Sequence, residues 1–229
     1  MSKSAAPSNQ SAPVHSAQTA VHVRLREVVE RHLAQPWRAP VQDASRAAFG
    51  RFVKWLAGAP AVPWWLDSGC GTGASTLALA RRQPRCMVVG IDRSAARLAT
   101  GQRALAAADA PANALLLRCD APDFWRLARS AGFAPARHLL LYPNPSPKAA
   151  QLRRRWHAHP AFPALLALGG ELELRCNWRV YAQEFAEALG IAGRDAAPER
   201  FVPGEPLTPF ERKYAASGHA LWRVRAPSH

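Results

Sequence analysis

The run Asp67-Ser68-Gly69-Cys70-Gly71-Thr72-Gly73 sets glycines at alternate positions between a short apolar segment and a helix-patterned one. Glycine tolerates the left-handed backbone that so sharp a turn requires, and its missing side chain lets a ligand approach the main chain closely. A helix that opens directly after such a loop points free N–H groups at whatever the loop holds. This is the strand–loop–helix unit of an α/β sheet, and little else accommodates it. The rest of the chain keeps the same rhythm. Short apolar runs predict strands at Val62–Leu66, Cys86–Ile91, Ala114–Leu117, Leu139–Tyr142 and Glu171–Arg175. Helical spacing predicts helices over Thr76–Arg82, Ser94–Ala108, Pro122–Arg129 and Val180–Leu189, and over Ala149–Leu168 with a break near Pro160 and Pro163. Strands that are apolar throughout, alternating with helices, mark a parallel sheet covered on both faces. A helix-like Pro209–Ala216 and a last strand, Ala220–Val224, would close the sheet edge antiparallel. The fold class read from this is α/β, doubly wound, with an N-terminal helical extension.

That extension divides in two. Residues 1–18 are Ser, Ala, Gln and Pro with hardly any large apolar side chains, the composition of a disordered tail. Residues 19–60 hold two amphipathic helices. Val21, Leu25, Val28, Val29 and Leu33 recur over Thr19–Gln35 before Pro36, and Phe49, Phe52, Val53 and Leu56 over Val41–Leu56. Residues 61–229 form the α/β domain.

The glycine spacing alone leaves the ligand open, because Gly69, Gly71 and Ala74 also satisfy the dinucleotide pattern G-x-G-x-x-G/A. Asp67 separates the readings. A carboxylate just before the first glycine repels a pyrophosphate but suits an ammonium group, which S-adenosylmethionine carries, having no phosphate. Asp92, at the end of the second strand, is placed to accept both ribose hydroxyls, and Asp120, past the third, to meet the adenine amino group. Three acids after three successive strands thus match the methionine, ribose and adenine ends of one extended ligand. A nicotinamide-dependent oxidoreductase is the poorer fit.

Charge bears on the other substrate. Lys+Arg number 30 against 16 Asp+Glu, a formal charge of +14, and only Lys3, Lys54, Lys148 and Lys213 are lysines. The remaining cations are arginines, whose planar fork grips phosphate in a bidentate way. This excludes an acidic or neutral surface and favours a polyanionic partner. Arg153, Arg154 and Arg155 form its densest cluster, whereas Arg81, Arg82, Arg85, Arg93, Arg97 and Arg103 read as surface decoration. The four cysteines, Cys70, Cys86, Cys119 and Cys176, have no metal-type spacing and apolar neighbours, which reads as reduced thiols in a cytoplasmic protein. His157 and His159 lack a third ligand, so no metal is expected. No apolar run is long enough to span a membrane, and no signal peptide is read at the N-terminus.

After the fourth strand comes Tyr142-Pro143-Asn144-Pro145-Ser146-Pro147-Lys148, a stiff extended rim. The fifth strand ends in Arg175-Cys176-Asn177, and Thr208-Pro209-Phe210-Glu211-Arg212-Lys213-Tyr214 follows late in the chain. The glycine loop and its acids resemble class I S-adenosylmethionine-dependent methyltransferases. With the three later segments, the chain resembles the bacterial tRNA (guanine-N7)-methyltransferase family from Val62 to about Val224. That family has an Asp-Pro-Trp-Pro-Lys segment, a fifth strand ending in Lys-Thr-Asp and a late Thr-x-Tyr-Glu-x-Lys-Phe. Pro145, Pro147, Lys148, Thr208, Glu211 and Lys213 match residue for residue.

The resemblance implies a mostly parallel seven-stranded sheet, S-adenosyl-L-methionine held by Asp67, Gly69, Gly71, Gly73, Asp92 and Asp120, and a structured RNA, tRNA, as substrate. It implies Asn144 at the transferred methyl and Lys148, Asn177, Thr208 and Glu211 on the acceptor side, in a monomer or weak homodimer. Two departures stand out: the family's acids are Asn144 and Asn177 here, and an amide oxygen accepts from only part of the donor edge of guanine. Guanine N7 already bears a lone pair, so its methylation needs alignment more than a base. Alternatives are a class I methyltransferase with a different acceptor and a non-catalytic RNA-binding paralogue. A looser likeness of Asn144-Pro145-Ser146-Pro147 to the Asn-Pro-Pro-aromatic loop of amino methyltransferases is a minor reading.

Overall fold

The computed structural model describes residues 11–35 and 37–228. Two helices, α1 (Leu25–Ala34) and α2 (Asp43–Ala57), precede the sheet. The chain then runs β1 (Trp64–Ser68), α3 (Ala74–Arg82), β2 (Met87–Asp92), α4 (Ala95–Leu105), β3 (Ala114–Arg118), α5 (Ala121–Ser130) and β4 (Arg137–Leu141). Two short 3-10 turns, Ala149–Arg154 and Trp156–Ala158, lead into α6 (Phe162–Leu168). The chain closes with β5 (Glu171–Cys176), α7 (Arg179–Ile191), β6 (Pro198–Phe201), α8 (Pro209–Ala216) and β7 (Leu221–Ala226).

The seven strands form one sheet in the order β3-β2-β1-β4-β5-β7-β6. The first five pair in parallel, and β7 runs antiparallel to both β5 and β6. Strand addition reverses direction between β1 and β4, and at such a switch point the two following loops diverge and leave a crevice beyond the carboxyl ends. The glycine loop follows β1 and the proline rim follows β4. Topology alone therefore puts the two motifs side by side.

Alternate strand residues explain the continuous apolar runs. Trp64, Leu66, Val89, Ile91, Leu117 and Leu140 face a core built with α1, α2, α5, α6 and α7. Val88, Ala114, Leu139 and Leu141 face the opposite side, with α3 and Leu207. On β5 the second face is polar instead, carrying Glu171, Glu173 and Arg175.

Several expectations change. The last strand is not an edge. It lies inside the sheet, covered by β6, whose Pro-Glu-Arg-Phe sequence has no apolar run to announce it and suits an outermost strand. The first strand extends to Ser68, so Asp67 belongs to the sheet and not to the loop. The span predicted as a broken helix over Ala149–Leu168 opens as two 3-10 turns, with only Phe162–Leu168 α-helical. Residues 11–18, expected within a disordered tail, are hydrogen-bonded to the body: the Ser16 hydroxyl donates to the Pro147 carbonyl at 2.6 Å, and Gln18 Nε2 donates to Glu184 at 2.6 Å. Residues 1–10 of that tail, and Pro36, lie outside the described residues.

Candidate functional site

The glycine loop is built as its sequence demands. Gly69, Gly71 and Gly73 take φ of 78°, 59° and 77°. The N–H groups of Gly69 and Cys70 both donate to the Ile91 carbonyl, at 2.8 and 3.0 Å, which fastens the loop to the end of β2. A side chain on Gly69 or Gly71 would meet nothing within 4 Å, so these two face open space. Gly73 does not. Its Cβ would lie 2.6 Å from Leu116, and it packs inward as the residue before α3. Of the three glycines predicted to touch a ligand, two are open to one.

Asp67 is also placed differently from expectation. It is fully buried beneath the loop, where its Oδ2 accepts from the hydroxyls of Ser75 at 2.5 Å and Thr76 at 2.7 Å. Burial raises its pKa to about 6 in spite of those two donors. Its Oδ1 has no partner among the described residues. Asp67 thus turns the hydroxyls of the first turn of α3 inward and leaves negative charge under the loop, where a pyrophosphate would sit.

Asp92 and Asp120 border one cleft of about 580 Å³. Asp92 steadies the loop: its Oδ2 accepts from Gly71 N–H at 2.9 Å and its Oδ1 from Ser94 N–H at 2.8 Å. Each oxygen keeps a lone pair for a further donor. Asp120 occupies the N-cap position of α5 but makes no side-chain capping bond. Burial raises its pKa, and neighbouring Asp123 adds to the effect. The start of α2, with Gln42, Ala44 and Ser45, walls the same cleft, and Arg93, Arg97 and Arg118 line it. Arg93 and Arg97 were expected merely to decorate the surface. Nothing in a single sequence links α2 to this wall.

The proline rim is strained and tied down at both ends. Tyr142 and Ser146, neither of them glycine, have φ of 52° and 45°, on either side of Asn144. Such conformations persist only where the surroundings over-determine them. Tyr142 N–H donates to the Arg175 carbonyl at 2.8 Å, and its hydroxyl donates to Glu211 at 3.0 Å. Ser146 N–H donates to Asn144 Oδ1 at 3.0 Å. Asn144 is exposed, and with its oxygen turned toward Ser146 its Nδ2 hydrogens are left without a partner among the described residues.

The main anchor is Arg155, which the sequence suggested would face a phosphate. It is fully buried. Its Nε donates to the Ser146 carbonyl at 3.2 Å, and its terminal nitrogens donate to Glu184 at 2.5 Å, Gln18 at 2.9 Å and the Lys148 carbonyl at 3.4 Å. Its guanidinium lies 4.9 Å from the centre of the Trp178 ring, so one side chain ties the rim to the residue after Asn177. Glu184 also accepts from His157 Nε2 at 2.9 Å and from His22 N–H at 2.9 Å. Burial opposes charge on Glu184, but His157 and Arg155 hold its carboxyl below the usual range. Burial pushes the His157 pKa down, which keeps that ring neutral. Across the two 3-10 turns and the residue that joins them, Leu152, Arg155 and Ala158 are buried at a spacing of three, the repeat of that helix type. Read as an α-helix, the segment offered no such signal. Arg153 and Arg154 are exposed, as expected of phosphate contacts, and so is Lys148.

Thr208 and Glu211 are near the rim but buried within the fold. Thr208 caps α8 by accepting from Glu211 N–H at 2.8 Å. Glu211 accepts from Leu207 N–H at 2.6 Å, Arg175 at 3.0 Å and Tyr142. A polar chain runs from it through Arg175 and Glu173 to Arg137 across β5 and β4. With its acceptors committed, Glu211 positions Tyr142 and does not itself offer a surface to an acceptor. Asn177 is half-buried at the carboxyl end of β5, next to the rim, and its Nδ2 lies 3.3 Å from His219 Nδ1. His219 and Gln18 were absent from the sequence-level site because neither sits in a motif.

Among the described residues no helix is long and apolar enough to cross a membrane, and no group of three or more His, Cys, Asp or Glu side chains is arranged to hold a metal.

Residues 61–224 match the family model described as a putative methyltransferase. The tRNA (guanine-N(7)-)-methyltransferase of Stutzerimonas stutzeri (strain A1501) is 30% identical over 96% of this chain and 95% of its own length. Proteins of the same description are 29% identical in Leifsonia xyli subsp. xyli (strain CTCB07), covering 88% of this chain and 91% of that one, and 30% in Treponema pallidum (strain Nichols), covering 83% and 85%. Among solved structures, the 16S rRNA methyltransferase KamB superposes with a TM-score of 0.58 at 19% identity, over 83% of this chain and 95% of its own. The aminoglycoside resistance methyltransferase NpmB1 gives 0.57 at 18%, over 84% and 95%. At such identity the likeness is one of fold.

Proposed function

The chain belongs to the tRNA (guanine-N7)-methyltransferase family, and on that premise we propose that it transfers a methyl group from S-adenosylmethionine to N7 of a guanine in tRNA, in the cytoplasm. One observation carries this reading. The glycine loop with its acid-bordered cleft and the strained, anchored proline rim stand beside each other at the carboxyl ends of β1 and β4.

The residues fit the cofactor. Asp92 keeps a lone pair on each oxygen for the ribose hydroxyls, Asp120 offers a carboxylate to the adenine amino group, and Gly69 and Gly71 leave room for the methionine portion. The buried Oδ1 of Asp67, unpartnered among the described residues, favours a cationic ligand over the loop and disfavours a phosphate-bearing one. S-adenosylmethionine supplies an electrophilic methyl group on a sulfonium sulfur.

The chain's own contribution is orientation. Guanine N7 attacks with its in-plane lone pair, so no residue needs to remove a proton first. Asn144, its oxygen turned toward Ser146 N–H, offers Nδ2 hydrogens suited to guanine O6. Asn177 offers an amide oxygen suited to the N1–H and N2–H donors on the same base edge. Two amides turned opposite ways would then read guanine without the family's carboxylates. Lys148, Arg153 and Arg154 supply exposed charge where the RNA backbone would pass.

The test is transfer of isotope-labelled methyl from S-adenosylmethionine to an unmodified tRNA transcript, followed by nucleoside mass spectrometry. Labelled 7-methylguanosine is expected. Label in a methyladenosine, or tRNA that binds but stays unlabelled, would reject the proposal in favour of another acceptor or a non-catalytic RNA-binding role.

A further inference from the structure

We propose that His219 is a positioning residue that fixes which way the Asn177 amide faces, and so makes Asn177 an acceptor toward the substrate. The inference rests on the reading of Asn177 as part of the acceptor site and deepens it. It follows, for a neutral imidazole, from the polarity of a short chain of hydrogen bonds. His219 Nε2 lies 2.9 Å from the Ser11 carbonyl oxygen. A carbonyl can only accept, so Nε2 carries the proton. In a neutral imidazole the other nitrogen is then an acceptor. That nitrogen, Nδ1, lies 3.3 Å from the Asn177 side-chain amide, so the atom facing it has to be the NH₂ group. The Asn177 oxygen, which has no hydrogen-bond partner among the described residues, is left for a ligand.

The ring is itself held. It stacks on Tyr214 with centroids 5.3 Å apart and planes 13° from parallel. The segment that supplies the Ser11 carbonyl is anchored a second time, since Ser11 N–H donates to the Ser217 hydroxyl at 2.9 Å. The substrate consequence is specific. A carboxylate at position 177 would present an oxygen whichever way it turned. An amide presents an oxygen in one orientation and a donor in the other, and a donor would oppose guanine N1–H and N2–H. His219 restores by orientation what the change from acid to amide removes.

Two measurements decide the matter. Nitrogen-15 NMR of the full chain, with the His219 signals assigned by their loss in His219→Ala, should show Nε2 protonated and Nδ1 bare. The opposite tautomer would overturn the proposal, whether or not the protein methylates anything. The second measurement is kcat/KM for tRNA in two backgrounds. His219→Ala should lower it about tenfold in the parent, the worth of one base-facing hydrogen bond. In the Asn177→Asp background the same change should have less than a twofold effect, because orientation no longer matters there. Equal losses in both backgrounds would show that His219 serves only the fold, and would refute the inference while leaving the guanine-N7 assignment standing. A parent that never labels guanine would refute that assignment instead, and the tautomer would still settle the amide's orientation.

Discussion

Replacing Arg155 by methionine keeps much of the side chain's volume and removes its charge. In the folded protein Arg155 supplies the cation for Glu184, and both are fully buried. After the change the carboxylate keeps three donors, His157 Nε2, Gln18 Nε2 and His22 N–H, but no positive partner. The Ser146 carbonyl loses its Nε donor. Removing one member of a buried ion pair costs about 3–5 kcal/mol. For a chain of this size each kcal/mol moves the melting midpoint by roughly 2–4 °C, so Arg155→Met should melt roughly 6–20 °C below the parent. Adding Glu184→Gln removes the stranded charge and should recover part of the loss, a coupling of about 1–3 kcal/mol. Urea unfolding of the four proteins measures both quantities. At temperatures where Arg155→Met remains folded, methyl transfer should fall while affinity for S-adenosylhomocysteine stays near that of the parent, because the pair supports the rim and not the cofactor cleft. A loss of stability below about 1 kcal/mol, or equal damage to cofactor binding and transfer, would show that Arg155 does not hold the rim.

Three further expectations follow from other parts of the structure. Gly101 lies within α4, where alanine normally gains up to about 1 kcal/mol, yet a Cβ there would come 2.5 Å from the Thr72 carbonyl of the glycine loop, so Gly101→Ala should instead destabilise by about 1–3 kcal/mol and weaken cofactor binding, read by urea melts and calorimetry. Asp67 has its folded pKa raised from 3.8 to about 6, so its ionisation opposes folding as pH rises through that interval; Asp67→Asn should be more stable than the parent by up to about 3 kcal/mol at pH 7.5 and no more stable at pH 3.5, with weaker cofactor affinity. If Arg153 and Arg154 each contact a phosphate, replacing both by alanine should reduce the slope of log K against log salt for tRNA by about 1.4–1.8, whereas an unchanged slope would place the RNA elsewhere.

Where sequence and structure agree, the reason is periodicity or backbone constraint. The apolar runs of β2 and β3 must be buried on both faces, and the φ-positive glycines can only turn, so the α/β order and the turn of the glycine loop were legible. That Asp92 and Asp120 border one cleft was legible because topology brings successive strand ends together. The rest depends on pairings distant in the chain. Arg155 looked like one of three equivalent surface arginines, and only the partners Glu184, Gln18 and Trp178 reveal it as buried. Glu211 carries a family motif, but its commitment to Arg175, Tyr142 and Leu207 N–H is a tertiary fact. The strand β6 is polar and outermost, so no hydrophobic pattern marks it. The segment 11–18 has Val14 as its one large apolar side chain packed on the core and is otherwise held by side-chain hydrogen bonds, which composition does not encode.

Placing the cofactor's nucleoside against Asp92 is the central assignment in this site. Titration calorimetry of S-adenosylhomocysteine into the parent and into Asp92→Ala tests this directly, with thermal melts confirming that both proteins are folded. A charge-assisted bond is worth about 1.5–3 kcal/mol, so the variant should bind at least about tenfold more weakly. Unchanged affinity in a folded Asp92→Ala protein would contradict the assignment of this cleft.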